Sequence, residues 1–309
     1  MPKISVIVPN YNHAAYLDAR IRSILTQTFA DTEIILLDDA STDRSSEVLA
    51  RYRRHPKVTQ CITNKKNSGS AFRQWERGIE CSTGEYIWIA ESDDFANPHF
   101  LSRLSEVLDA HPAAGLVYCQ SIKIDAAGTP IGSWKDQTDR IPGNPWRASF
   151  VANGRDMLRR FLLFENVVPN ASAVLVRRRC LTPETLKEAA GYAINGDWYV
   201  WSKILLSADI AFVNEHYNCC RFHVQKGSVE NVRNFNNIEE FYRLRGVLHN
   251  ALSLSDAEQD ILNSGLFGLW TAQRRSMGVG KNDPVTLKVL ATAEAVDPGV
   301  RARLSLEPA

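Results

Sequence analysis

This 309-residue chain lacks an excess of charge of either sign, with 36 Lys and Arg against 35 Asp and Glu and a formal charge of +1. That balance excludes a polycationic nucleic-acid binder. It also lacks any CxxC pair. Cys61, Cys81, Cys119 and Cys180 are scattered, and only Cys219 and Cys220 are adjacent, which suits neither a zinc ribbon nor a disulfide framework. Reduced thiols in a cytosolic enzyme are the expectation. The longest apolar runs, Ile34 to Leu37 and Tyr86 to Ala90, fall far short of the roughly 20 residues of a membrane span, so any membrane contact is expected to be peripheral. The opening MPKISVIVPNYN has a single lysine before a short apolar run ending in Pro9. With no small-residue cleavage pattern behind it, it is not expected to be a signal peptide. Neither GxxxxGKS/T nor GxGxxG follows the first apolar run, which removes the P-loop and Rossmann readings.

What remains is an ordinary globular composition, 44% hydrophobic and 23% charged, long enough for one large or two modest domains with a substantial core. The pattern predicts a strand at Ile4–Val8, a helix carrying Leu17, Ile21, Ile24 and Leu25, and a strand at Glu33–Leu37, which together make a β-α-β unit. Asp43 can cap a further helix containing Val48, Leu49 and Tyr52. A short strand around Val58–Ile62, a helix over Ala71–Ile79 and a strand at Glu85–Ile89 follow. This alternation argues for a parallel, doubly wound sheet over about the first 120 residues, and such sheets bind ligands beyond the carboxyl ends of their strands. Three polar segments fall at such ends: Pro9–Asn12, Asp38–Ser41 and Glu91–Asp94.

Beyond Gly115 the pattern gives strands at Gly115–Cys119 and Gln120–Ile124, a Gly128-Thr129-Pro130 turn and a loop-like stretch from Ser133 to Pro145 that could act as a mobile lid or an acceptor loop. A helix follows with Met157, Leu158, Phe161 and Leu162 on one face, then a strand at Ser172–Val176. Trp198, Trp201 and Leu205 mark a helix beginning near Asp197. The last part is mainly helical, with Phe241, Leu244, Val247 and Leu248 in one stripe. No internal repeat is present.

The acidic run Glu91-Ser-Asp-Asp94 ends an apolar strand, where clustered carboxylates repel unless a cation or hydrogen-bond donors offset them. It reads either as a site where Mg²⁺ or Mn²⁺ bridges protein oxygens and a diphosphate or as the N-cap of the next helix. Asp38-Asp39 leaves the same choice between ligand binding and capping. Tyr11 is placed either to lie flat against a base or simply on the surface. His223 and Arg221 could face a diphosphate, although a structural histidine is the plainer reading. Arg177-Arg178-Arg179 reads as a solvated strand end, or as a patch attracting an anionic lipid or a lipid-linked diphosphate.

Ser5-Val-Ile-Val-Pro-Asn-Tyr-Asn12, Gln27-Thr-Phe29, Leu37-Asp-Asp-Ala-Ser-Thr-Asp43, Asn67-Ser-Gly-Ser70, Thr83-Gly-Glu-Tyr86 and Glu91-Ser-Asp-Asp94 together resemble, in order and spacing, the family 2 glycosyltransferases. The resemblance is strong over residues 3–110 and looser over 170–228, through Asn195-Gly-Asp-Trp198 and Arg221-Phe-His223. It implies an α/β GT-A fold: a doubly wound mixed sheet flanked by helices, with a catalytic domain over residues 1–230 and a helical extension over 231–309. It implies a metal-dependent, inverting transfer of sugar from a nucleotide-diphosphate donor, a UDP-sugar being the commonest, to a hydroxyl of a glycan or lipid-linked acceptor. The setting expected is the cytoplasm or the inner face of the membrane. Pro9 and Tyr11 match the segment flanking the nucleobase, Asp39 the acid that hydrogen-bonds it, and Asp93 and Asp94 the end of the DxD-like element, whose last acid holds Mn²⁺ or Mg²⁺. Glu91 and His223 are the further candidate metal ligands, and Asp197 falls where the family places its catalytic base. An N-cap of its own helix is the alternative for Asp197.

The chain departs from the family pattern at three positions. Glu91 stands at the first acidic position, where Asp is commoner, and Gly196 replaces the acid often found before the base. Trp75 falls where many members carry an arginine, leaving nearby Arg73 as the candidate for a nucleotide contact. A nucleotidyltransferase would need a Gly-rich first loop with Arg and Lys, and Pro9-Asn-Tyr-Asn12 is not one. A non-catalytic nucleotide-sugar-binding subunit of a polysaccharide assembly system is the alternative function. Loss of the acids would mark it, yet Asp39, Asp93, Asp94 and Asp197 are all present.

Overall fold

A computed structural model describes residues 1–168, 170–222 and 226–307. Strands β1 (Ile4–Asn10), β2 (Thr32–Asp38), β3 (Val58–Thr63) and β4 (Tyr86–Ile89) run parallel in the order β3-β2-β1-β4. The near-continuous apolar runs of β1, β2 and β4 follow from burial on both faces, whereas β3, at the sheet edge, is largely exposed. Ile4, Val6 and Val8 point into one core layer with Leu17, Ile21 and Ile24 of α1 (Ala14–Leu25), while Ile7 points into the other. Helices α2 (Ser45–Tyr52), α3 (Ala71–Cys81) and α4 (Phe100–Ala110) complete the winding. Asp43 stands one residue before Arg44, the N-cap of α2, and its carboxylate accepts from the N–H of Ser45, the first residue of that helix, at 2.9 Å, and from that of Ala14 at 2.9 Å.

Past β4 the sheet becomes mixed. After β5 (Phe95–Ala96), the two expected strands after Gly115 are one 11-residue strand, β6 (Ala114–Ile124). β7 (Pro130–Ser133) pairs with it across the predicted turn, and β8 (Phe150–Ala152) pairs with the long β10 (Asp209–Arg221). β9 (Val174–Arg177) lies antiparallel between β4 and β6, giving the order β4-β9-β6-β10-β5. The stretch from Ser133 to Pro145 carries a short helix, α5 (Lys135–Thr138). Arg177 corrects the solvated-end reading. It is 5% exposed, donates to the carbonyls of Ala114 and Leu108, and lies 5.2 Å over the Tyr86 ring.

Helices α6 (Gly154–Met157), α7 (Pro183–Ala189) and α8 (Gly196–Leu205) sit on one face of the sheet, and α9 (Lys226–Arg233) follows β10. The helices α10 (Asn236–Leu252), α11 (Asp256–Ser276), α12 (Pro284–Glu294) and α13 (Val300–Leu306) then continue the same apolar layer. Ser255 and Glu258 form a capping box at the start of α11, and Asp283 with Pro284 opens α12, both standard helix starts. Phe241, Leu244 and Leu248 are buried as the stripe requires, and Phe241 meets Trp198 with ring centroids 4.5 Å apart. Among the described residues no helix is long and apolar enough to cross a membrane.

Candidate active site

The three polar strand ends converge. A cleft of about 480 Å³ is lined by Pro9, Tyr11 and His13 beyond β1, Asp39 beyond β2, and Glu91 to Asp94 beyond β4. The loop before α3 closes one side with Asn67, Gly69 and Ser70, and Asn170 and Arg221 close another.

Local hydrogen bonds fix these loops. Asp38 is buried, and its Oδ1 accepts from Asn10 Nδ2 at 2.8 Å and Ser41 Oγ at 2.6 Å, so it ties the end of β1 to the turn after β2. Asn12 and Ala40 both take left-handed backbone conformations, with φ of 57° and 59°. Asn12, a residue that tolerates this region better than most, accepts there from the Thr42 N–H of the facing loop at 2.7 Å. Ala40 has no such compensation from its methyl side chain, so it is held there by its neighbours.

Asp39 is 3% exposed. Its Oδ1 accepts from Asn64 Nδ2 at 2.7 Å and the Ser68 N–H at 2.9 Å, and its Oδ2 accepts from Ser68 Oγ at 2.7 Å. The acid therefore anchors the loop that walls the cleft while facing into it. Tyr11 is half-exposed and Pro9 lies beside it. Arg73 is not brought in: it is exposed and donates to the Ser68 carbonyl at 3.3 Å. Its place on α3, about 100° round the helix from Gln74, which lines the cleft, is the reason.

The acidic turn is built over a buried cation. Arg20, fully buried on α1, donates through Nε to the Glu91 carbonyl at 2.8 Å and through a terminal nitrogen to Ser172 Oγ. Burial lowers its pKa, and the charges of Asp94, Asp93 and Glu91 act against that lowering in favour of the protonated form. Asp94 is buried, accepting from the Arg221 N–H at 2.7 Å and from Asn170 Nδ2 at 2.9 Å. Burial and the neighbouring Asp93 raise its pKa above the usual carboxylate range. Burial pushes Glu91 up to about 8, with Asp93 adding to the effect. Glu91 Oε1 accepts from the indole N–H of Trp75 at 3.0 Å, so the tryptophan standing in the arginine's place supplies a donor to the acidic turn. Arg221 Nε donates to the Asp93 carbonyl at 2.7 Å, and its guanidinium lies 4.4 Å over the Tyr16 ring.

No group of three or more His, Cys, Asp or Glu poised around one point forms among the described residues. The donor set nonetheless fits a hard cation of the Mg²⁺ or Mn²⁺ type, which takes one or two carboxylates and draws its remaining ligands from phosphate and water. Asp94 and Asp93 would be that pair: each Asp94 oxygen already accepts one protein hydrogen bond and keeps a lone pair, and Glu91 has one oxygen committed to Trp75. His223 lies outside the described residues.

Asp197 is in the first turn of α8, with Oδ1 accepting from the Trp198 N–H at 2.6 Å. It does not line the cleft. It stands one helix away, where Gly196 abuts the ring of Phe72, the chain neighbour of the lining residue Ala71. Burial pushes its pKa up to about 7, against a hydrogen bond from Trp198 and one from Asn166.

His13, whose Nδ1 is 2.8 Å from Ser92 Oγ, Arg20 and Asn170 were not legible as site residues. Arg20 alone carries a usable signal. It occupies a core position in the Leu17, Arg20, Ile21, Ile24 spacing, and a charge there needs a partner.

The model of Glycosyl transferase family 2 matches residues 5–168, more than half of the chain. The glycosyltransferase GlyG of Streptococcus pneumoniae is 38% identical over 238 residues, covering 73% of this chain and 72% of its own. An uncharacterized glycosyltransferase of Nostoc is 36% identical over 51% of this chain, a match spanning only 52% of the relative's own length. Among solved structures, Staphylococcus aureus TarS 1–349 in complex with UDP superposes with a TM-score of 0.69 at 20% identity, over 97% of this chain and 82% of the other. A mannosyltransferase from Pyrobaculum calidifontis in complex with GDP-Man and Mn²⁺ gives 0.56 at 16% identity, over 99% and 84%. The fold is that of the GT-A enzymes, and the chain belongs to glycosyl transferase family 2.

Proposed function

We propose that this protein is a metal-dependent, inverting glycosyltransferase that moves a sugar from a nucleotide-diphosphate donor to a hydroxyl of a glycan or lipid-linked acceptor. The observation that carries the reading is the convergence of Tyr11, Asp39 and the Glu91–Asp94 turn on one cleft of about 480 Å³, the size of a small-molecule site. Tyr11 and Pro9 would bound the base, and Asp39 with its loop would meet the base or ribose.

Asp94 with Asp93 would hold a divalent cation, which when bound supplies Lewis-acid stabilisation of the departing diphosphate. Arg20 keeps the acidic turn folded so that these carboxylates remain adjacent without unfolding the loop. Inversion requires the acceptor hydroxyl to attack from the face opposite the diphosphate, so a carboxylate must take its proton there. Asp197, at the start of α8 where the family places its base and outside the cleft lining, is our candidate, and a pKa of about 7 suits it to accept a proton near neutral pH. TarS, named a poly(ribitol-phosphate) beta-N-acetylglucosaminyltransferase and solved with UDP-GlcNAc, supports a UDP-sugar as the donor and a polymer hydroxyl as the acceptor.

The test is a thermal-shift panel of nucleotides and nucleotide sugars with and without Mn²⁺, followed by a transfer assay with the stabilising donor and glycan acceptors. Metal-enhanced binding of one nucleotide sugar and its turnover are expected. Binding without any turnover or hydrolysis of the donor would favour the non-catalytic subunit instead.

A further inference from the structure

The segment that leads into Asp197 is gripped from outside the sheet by α10. Glu240 is 4% exposed, and its carboxylate accepts from three consecutive backbone N–H groups, those of Ala193, of Ile194 at 3.1 Å and of Asn195 at 2.8 Å. Asn195 Nδ2 donates to the Asn237 carbonyl of the same helix at 3.1 Å. On either side of this contact, Arg243 donates to the Gly191 carbonyl at 2.9 Å and Phe241 packs on Trp198. Residues 191–198 are thus held by one face of α10 at successive points, and Asp197 lies between the last two.

Three adjacent N–H groups turned toward one acceptor form an anion-binding concavity, and a buried carboxylate fills it here. The arrangement fixes the backbone immediately before α8. Asp197 sits two residues after Asn195, and its Oδ1 is already bonded to the Trp198 N–H, so little freedom remains between that turn and the carboxylate. An error of about 1 Å in the placement of a reacting group can cost on the order of 10²-fold in rate.

We propose that Glu240 is a positioning residue for Asp197, so that the C-terminal helices set the geometry of the proposed base; this rests on the reading of Asp197 as the general base. Glu240 does not line the cleft. Its effect is confined to the turnover step.

The test compares wild type, E240Q, D197N and the double variant in the transfer assay, with hydrogen exchange read at residues 193–195. Gln presents one acceptor oxygen and an amide that faces N–H groups, so at least one of the three bonds is lost. Expected for E240Q are faster exchange at these amides, a kcat at least about 10-fold lower, and a donor KM within about 2-fold of wild type. The double variant should be no slower than D197N, because Glu240 acts through Asp197. Wild-type kcat in E240Q beside an inactive D197N overturns the Glu240 role and leaves the base assignment intact. Normal transfer by D197N overturns the base assignment, and the role of Glu240 with it. A raised donor KM at unchanged kcat, or a double variant well below D197N, also overturns the positioning role. Where E240Q does not fold, E240D keeps the charge but draws the oxygens back by one methylene, and the same outcomes decide.

Discussion

Arg20 donates from α1 to the carbonyl of Glu91 at 2.8 Å, joining a helix beside the first loop to the acidic turn beyond β4. Its guanidinium is also 5.0 Å over the Trp88 ring and bonded to Ser172. One buried cation therefore ties together the helix, the acidic turn and the strand return that brings Asn170 to Asp94. This explains how a turn with three acids stays folded at the edge of an apolar sheet.

Arg20→Met keeps the side-chain stem and deletes the charge, leaving the Glu91 carbonyl and the acids without their compensation. Removing one partner of a buried charged network costs about 3–5 kcal/mol, which urea unfolding should register as a large drop in midpoint. Lysine should restore little, because an ammonium does not reproduce the planar fork that serves two acceptors. A wild-type midpoint in Arg20→Met would show that the acidic turn is balanced by other groups.

Asp94→Asn keeps an acceptor for the Arg221 N–H and removes a charged oxygen. Nucleotide diphosphate binding to wild type should tighten with Mg²⁺ or Mn²⁺, and the variant should lose that dependence while keeping its metal-free affinity. Calorimetric titration with metal and with EDTA reads both. Equal wild-type affinity in the two conditions would remove the cation from the proposed mechanism.

How much of this could be read beforehand divides along physical lines. The β-α-β winding and the three polar strand ends were legible, because continuous apolar strands and amphipathic helices write their period locally. Asp38, Asp39 and Glu91 to Asp94 were legible for the same reason: they end those strands. Asn170, Ser172 and Glu240 were not, since each acts on a residue more than 40 positions away and none interrupts a local pattern. Arg177 shows the limit of composition. It sits in a run of three arginines, and burial turns it inward because it belongs to β9 while its two neighbours do not. Arg73 lies off the cleft lining because one position on a helix changes the face by about 100°.

Asp39→Asn tests whether the second strand end serves the ligand through its own oxygen or through the loop it anchors. The new amide meets the Ser68 N–H or Asn64 Nδ2 donor to donor, so the loop of residues 64–70 should loosen. A lost bond to a charged group is worth about 1.5–3 kcal/mol, and we expect nucleotide affinity to fall roughly 10- to 100-fold at saturating metal, with a lowered melting temperature. Lost affinity at an unchanged melting temperature would assign Asp39 to direct ligand contact instead. Unchanged affinity in a folded variant would confine it to the loop.

Asp197→Asn separates the base from the helix start through its dependence on pH. The wild-type carboxyl holds its proton up to about pH 7 in the folded protein, against a reference value of 3.8. Below pH 3.8 both states are protonated and Asp197 contributes no slope. Between the two values the unfolded chain has released a proton that the folded chain retains, so stability falls as pH rises, until the loss is complete above pH 7. Asn does not titrate, and its Oδ1 can still accept from the Trp198 N–H. The variant should therefore match wild type in acid and melt above it at pH 8, in scans taken across that window. Catalysis should move the opposite way. Wild-type kcat should fall tenfold per pH unit below about 7 as the base is protonated, whereas the variant should be at least about 10²-fold slower at pH 8 and show no acidic limb from this group. Higher melting at pH 8 with normal transfer would establish the buried carboxyl but deny it the role of base, and the search would turn to Glu165 and Glu215. Donor affinity and metal response should be unaltered in either case, because the cleft proposed for the donor is lined without Asp197.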